Sequence, residues 1–114
     1  MKKEDLDWRL SRHFLSFLRI ELKRIKKYYG LVIVYEIEAH RLGDEAVIGK
    51  NKNKLKEMES TYIDALEFAY KSNSYKHMFS LYHWCARYFI KFGDVKNGIK
   101  YCKLAIDNAG IVLK

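Results

Sequence analysis

Histidines, cysteines and neighbouring carboxylates are the residues of this chain that could perform metal or acid–base chemistry, and their spacing argues against both. The four histidines form no HExxH motif, and His83 and Cys85, two positions apart, point in different directions on a helix. Glu36 and Glu38 are also two positions apart, so on a helix they diverge and cannot share a proton as a catalytic pair would. We therefore expect no metal, no cofactor and no enzymatic activity.

A cationic group near the carboxyl end could instead bind an anion. At about 100° per residue, Ser80, His83, Arg87 and Lys91 share one face of a helix, where the three cations can converge on a carboxylate. This pattern favours a ligand with a carboxylate or another anionic group. The alternative is a solvated polar face, which is typical of charged stripes on surface helices.

A longer basic array lies near the amino end. Its members repeat at steps of three and four, with Ser16 filling the gap: Arg9, Arg12, Arg19, Lys23 and Lys26. On a helix they form a stripe about 25 Å long, which could follow the phosphates of a nucleic acid. No recognition helix or base-stacking motif accompanies the stripe. Because of the basic stripe, the alternative function is that of a small nucleic-acid-binding or regulatory protein.

Helical periodicity supplies the elements that must position these groups. It predicts a basic amphipathic helix within 1–30, ended by Gly30, with Phe14 and Phe17 on its apolar side. Residues 31–42 alternate like a strand and also fit a helical stripe, and we predict a helix there. The segment 31–72 continues with a loop near 43–53, rich in glycine and asparagine, and a helix over 54–71. Two further helices, 75–92 and 94–108, form a hairpin within 75–109.

Length and composition confine these elements to a single domain, residues 1–114. Without proline and with only six glycines, the chain lacks the turn chemistry of sandwiches and barrels, and we predict an all-α bundle of five helices. The net charge of +8 favours anionic partners. No apolar run is long enough for a membrane span and no signal-peptide pattern is present, which predicts a cytoplasmic protein.

Small and large residues occupy fixed positions on both sides of Gly93-Asp94. They are Tyr82, Cys85, Ala86 and Phe89 before this turn and Gly98, Cys102 and Ala105 after it. On these residues, the segment 79–112 resembles a tetratricopeptide repeat, a helix pair of 34 residues. It departs from the family pattern where Gly98 replaces an alanine, Cys102 an aromatic residue and Gly110 the closing proline.

The resemblance implies that the first helix of the pair lines a groove that grips peptides. The matching positions in this sequence are Ser80, His83, Arg87, Ile90 and Lys91. Added to the cations of this helix, the resemblance makes a protein partner with an acidic segment the leading expectation. Fewer than three repeats rarely stand alone, so we also expect the first helix or a second copy of the chain to cap the stack. Trp8, Phe14 and Tyr29 would lie at that contact.

Overall fold

The computed structural model describes residues 12–21 and 28–113, the side chains of 110–113 excepted. Five helical segments account for them, joined by short connections and without a strand in this part of the chain: α1 (12–21), α2 (Tyr28–Gly49), α3 (Lys52–Lys71), α4 (Tyr75–Phe92) and α5 (Val95–Leu113). The predicted all-α bundle of five helices is confirmed. Residues 31–42, which fitted both a strand and a helix, are helical.

Helix α2 is longer at both ends than the sequence predicts. Gly30 lies inside it, and so do Gly43 and Asp44, so the predicted loop near 43–53 shrinks to Lys50 and Asn51. Gly43 does not form a turn. It allows α4 to approach α2 closely, because a Cβ at this position would lie 2.6 Å from the ring of Tyr88 on α4.

A side-chain cap supplies the signal that starts α3. The Asn51 side chain accepts hydrogen bonds from the backbone N–H groups of Asn53 and Lys54. These are two of the donors that the first turn of a helix cannot satisfy internally. The break between α2 and α3 is therefore set by this cap and not by the glycines before it.

The turn between α4 and α5 follows the prediction closely. Gly93 adopts a left-handed φ of 105° at the end of α4, and the Asp94 side chain accepts a hydrogen bond from the Asn97 backbone N–H at 3.2 Å. Ala86 and Ala105 are 1% and 5% exposed. A Cβ on Gly98 would lie 3.5 Å from the Ala86 carbonyl oxygen, so small residues occupy the place where the two helices meet.

Two antiparallel hairpins, α2–α3 and α4–α5, form the body of the molecule. They are joined through α4, which packs against both α2 and α3. The core lies at this three-helix junction, where its largest side chains are at most 1% exposed: Met58, Tyr62, Met78, Leu81 and Cys85. The first hairpin therefore fixes the position of α4, and α4 carries the predicted binding residues.

Helix α1 is rotated by about 90° from the predicted orientation, taking 100° per residue. Leu15 is 8% exposed, whereas Phe14 and Phe17 are each 59% exposed. The orientation is fixed by Leu15 and by an ion pair of 2.5 Å between Arg19 and Glu38 of α2. Because α1 has large apolar residues around most of its circumference, its periodicity alone could not select the buried side.

Two of the three residues predicted to contact a capping helix or a second copy of the chain lie in the described part of the structure. Phe14 is exposed, and Tyr29, at 56% exposed, packs edge-on against the ring of His77 with centroids 5.1 Å apart. Trp8 lies outside the described residues.

Candidate functional site

The predicted cations of α4 share its exposed side. We call Ser80, His83, Arg87 and Lys91 the α4 basic face. The last three are exposed and Ser80 is half-buried. Helix α4 contains no aspartate or glutamate, so no carboxylate on its own turns neutralises them. The spacing of the sequence thus predicted which residues stand together.

An aromatic ring lies beneath each of the three cations. The Arg87 guanidinium carbon is 4.7 Å from the centroid of the Trp84 ring, and the Lys91 Nζ is 5.8 Å from that of Tyr88. The His83 ring stacks on Phe79 at 6.1 Å. A guanidinium lying on an indole face keeps its N–H edge available to a carboxylate while losing rotational freedom. The rings therefore hold the cations in place for an anionic ligand.

Helix α2 supports two of these rings from below. The His40 ring lies 4.8 Å from that of Trp84, and the Tyr88 hydroxyl donates a hydrogen bond of 2.9 Å to the Asp44 carboxylate. The absent side chain of Gly43 makes room for the Tyr88 ring. We call Trp84, Tyr88 and His40 the aromatic floor. It is built across α2 and α4, and the sequence signalled only Trp84, which lies off the main apolar stripe of its helix.

A buried polar contact fixes the floor from the side of α3. Nδ1 of His40 hydrogen-bonds the Tyr62 hydroxyl, and Tyr62 is 1% exposed. Burial lowers the pKa of His40, against a smaller opposing effect of Asp44, and burial also raises the pKa of Tyr62. Both groups are therefore neutral near pH 7. The floor has no charge of its own to repel an acidic ligand, apart from Asp44 at its edge.

An apolar cavity of about 630 Å³ opens beside the floor. It lies between α1 and α2, and its lining includes Leu15, Ile37, His40 and Ile48 together with the charged Arg41, Asp44 and Glu45. No residue of α4 lines it, and His40 is the residue it shares with the aromatic floor.

Ile90 does not belong to the α4 basic face. It is 48% exposed and lies over α5, where its Cγ1 is within 2.5 Å of the position that a Cβ on Gly98 would occupy. The family resemblance that grouped Ile90 with Arg87 and Lys91 carries no information on the contact between Ile90 and α5.

The basic stripe of the first helix is described only in part. Arg12 and Arg19 lie within α1, whereas Arg9, Lys23 and Lys26 lie outside the described residues. Arg19 is directed toward the protein, where it pairs with Glu38 and its guanidinium carbon lies 5.3 Å from the ring centroid of Tyr35. Both arginines line a polar cavity of about 430 Å³ between α1, α2 and α3. In the described part, this stripe contributes more to packing than to an open phosphate track.

The histidines, carboxylates and thiols are dispersed. Among the residues that the structure describes, no three His, Cys, Asp or Glu side chains are placed to hold a metal ion. Glu38 pairs with Arg19 on one side of α2, and on α3 Glu59 accepts a hydrogen bond from Tyr101. Both cysteines are free thiols. Within the same described ranges, no helix has the length and apolar character needed to cross a membrane.

Comparison with known proteins adds no relative to this picture. No family model matches the chain, and neither the curated proteins nor the solved structures include a match.

Proposed function

We propose that the chain is a non-enzymatic protein-interaction module that binds an acidic segment of a partner protein through the α4 basic face. The repeat-like pairing of α4 with α5, and its seat on the α2–α3 hairpin, would present this face as one rigid surface. The resemblance of residues 79–112 to a tetratricopeptide repeat supports the proposal, since it implies that the same face is the ligand side.

The combination of an aromatic contact with a missing counter-ion carries the proposal. On α1, α2 and α3, the cations Arg19, Arg41, Lys54 and Lys71 each lie within 4 Å of a glutamate oxygen, whereas Lys52 and Lys56 of α3 form no ion pair with a described residue. Arg87 and Lys91 form no ion pair with any described residue and contact aromatic rings. Placing cations together without internal counter-ions costs stability by mutual repulsion, and a bound carboxylate would remove that cost.

The dimensions of the face define the ligand. Residues 80–91 rise about 16 Å along α4 at 1.5 Å per residue. An extended chain covers that distance with about five residues. A short run of aspartate and glutamate matches the face in both length and charge.

Charge reversal on this face tests the proposal. Fluorescence anisotropy would measure the affinity of a labelled Asp/Glu-rich peptide for the wild type, for Arg87→Glu and for Lys56→Glu. Lys56 is exposed on α3 and changes the net charge by the same amount. We expect Arg87→Glu to weaken binding about tenfold or more, since it replaces a directed attraction by a repulsion. Lys56→Glu should weaken binding only through the long-range field, and equal losses for the two variants would overturn the proposal.

A further inference from the structure

Helix α5 carries an apolar stripe that no described residue covers. We call Val95, Ile99, Cys102 and Ile106 the α5 outer stripe. Its members recur at steps of four, three and four, and Val95, Ile99 and Ile106 are 56%, 50% and 67% exposed. Cys102 at its centre is half-buried. Ile90, which reaches across from α4 over Gly98, extends the stripe to a second helix.

The first hairpin shows how such a surface is covered in this molecule. Helix α3 is flanked by both α2 and α4, and its apolar residues Met58, Leu66 and Ala69 are at most 5% exposed. Of the helices α2 to α4, only α4 packs along α5. Within helices α2 to α5, the open side of α4–α5 therefore lacks the second flanking helix that α3 has.

The charged residues beside the α5 outer stripe indicate which kind of helix binds there. Lys96, Lys100 and Lys103 are exposed in the row next to the stripe, and Asp107 is the one acidic residue in the same row. Residues 75–113 contain six basic residues and only two acidic ones. A symmetric contact between two copies of this surface would bring like-charged lysine rows together, whereas a helix edged by carboxylates would pair with them.

We infer that the open side of the α4–α5 hairpin, centred on the α5 outer stripe, docks an amphipathic helix of a partner protein that has apolar residues on one face and carboxylates along its edge. This rests on the proposed function in so far as the same acidic partner supplies the segment bound by the α4 basic face. It adds a second, predominantly apolar contact, which an Asp/Glu-rich peptide without helical structure would not make.

Cys102 provides a direct probe of occupancy, because it lies inside the stripe while Cys85, the other thiol, is 1% exposed. The ligand would be a synthetic helical peptide with leucines along one face and glutamates along its edge. A peptide of the same composition in scrambled order keeps the charge and removes the apolar face. We expect the first peptide, and not the second, to slow the alkylation of Cys102 by iodoacetamide about tenfold or more. Equal protection by both peptides, or by neither, would overturn the inference.

Two isoleucines of equal exposure provide the matched variants. Ile99 and Ile63 are each 50% exposed, on α5 and α3 respectively, so replacement of either by serine leaves the buried core intact. We expect Ile99→Ser to weaken binding of the amphipathic peptide about tenfold and Ile63→Ser to leave it unchanged. Equal affinities of Ile99→Ser and the wild type would contradict the docking surface.

The two proposals fail separately in these experiments. Retained binding of the Asp/Glu-rich peptide, with no effect of Ile99→Ser on the amphipathic one, would leave the proposed function standing and reject the docking surface. Binding that responds to Ile99→Ser but not to Arg87→Glu would do the reverse. Protection of Cys102 that increases with the concentration of the protein alone would show a second copy on the stripe and overturn the partner helix.

Discussion

Gly43 shows how one missing side chain joins two helices at the candidate site. A Cβ at this position would lie 2.6–2.7 Å from three atoms of the Tyr88 ring. Tyr88 is 5% exposed and is held by its hydrogen bond to Asp44, so it has little room to move away. The close approach of α2 to α4 therefore depends on this glycine. The position of the Tyr88 ring in the aromatic floor depends on it as well.

We predict that Gly43→Ala destabilises the fold by about 1–3 kcal/mol, the usual cost of overfilling a packed core. Gly49→Ala is the control, because nothing lies within 4 Å of a Cβ at that helix end. Alanine there should leave stability unchanged or raise it by up to about 1 kcal/mol through its better helix propensity. Urea unfolding of both variants would measure the difference, and equal midpoints would refute the close contact at Gly43.

His40 makes the stability of the fold dependent on pH. Its pKa is lowered in the folded chain because burial disfavours the charged ring, so the native state binds a proton less readily than the unfolded chain does. The contribution of the neutral His40 ring to the free energy of unfolding is complete above the ordinary histidine pKa of about 6.5. It is lost as the pH falls from there toward the lowered value.

We predict that His40→Gln flattens the fall in unfolding free energy below about pH 6.5, where one such group contributes at most about 1.4 kcal/mol per pH unit. Urea midpoints measured between pH 5 and 8 would compare the variant with the wild type. A His40→Gln variant that keeps the full slope would assign the pH dependence to another group.

At the scale of the elements, local signals predicted α3, α4 and α5 well, with α4 at 75–92 as expected. Their ends are set by neighbouring residues, such as the left-handed Gly93, which a sequence displays directly. The end of α2 and the buried side of α1 depend instead on contacts with distant residues. Gly43 faces Tyr88 and Arg19 faces Glu38. Contacts of this kind produce no periodic pattern in the sequence.

The same distinction between local signals and contacts with distant residues applies to the candidate site. The cations His83, Arg87 and Lys91 follow from helical spacing on a single element. The support that α2 provides, through His40 and Asp44, comes from about 40 positions away and depends on how the hairpins stack. Ile90 was misplaced for the same reason, since α5 decides its direction.

One hydrogen bond ties α5 to the first hairpin across α4. The Tyr101 hydroxyl donates to the Glu59 carboxylate of α3 at 2.5 Å, and Tyr101 is 4% exposed. Burial, and then this hydrogen bond, raise the pKa of Tyr101, so the phenol remains a donor throughout the neutral range. The bond fixes the tilt of the second hairpin against the first.

We predict that Tyr101→Phe costs about 1–3 kcal/mol, because it leaves the half-buried Glu59 carboxylate without its donor. Tyr75→Phe, at a ring that is 43% exposed, should cost less than about 0.5 kcal/mol. Thermal unfolding would compare the two variants. Similar melting temperatures for both would show that the hairpins do not depend on this bond.

At the scale of the whole molecule, charge is distributed unevenly between the two hairpins. Residues 28–71 contain six basic and eight acidic residues, whereas 75–113 contain six and two. Three of the six basic residues of the first hairpin, Arg41, Lys54 and Lys71, have glutamate partners, as Arg41 and Glu45 do at 2.9 Å. Of the two hairpins, the second therefore has the positive charge that can attract a ligand, and the α4 basic face lies on it.

The most direct test of this account is a titration of the ¹⁵N-labelled protein with the Asp/Glu-rich peptide, followed by two-dimensional NMR. We predict that the amide signals which shift most belong to residues 80–91 of α4 and to the α2 residues beneath them around His40. Signals of α3 around Ile63 should remain in place. Shifts confined to residues 12–21, or an absence of shifts at saturating peptide, would contradict the assignment of the binding surface to α4.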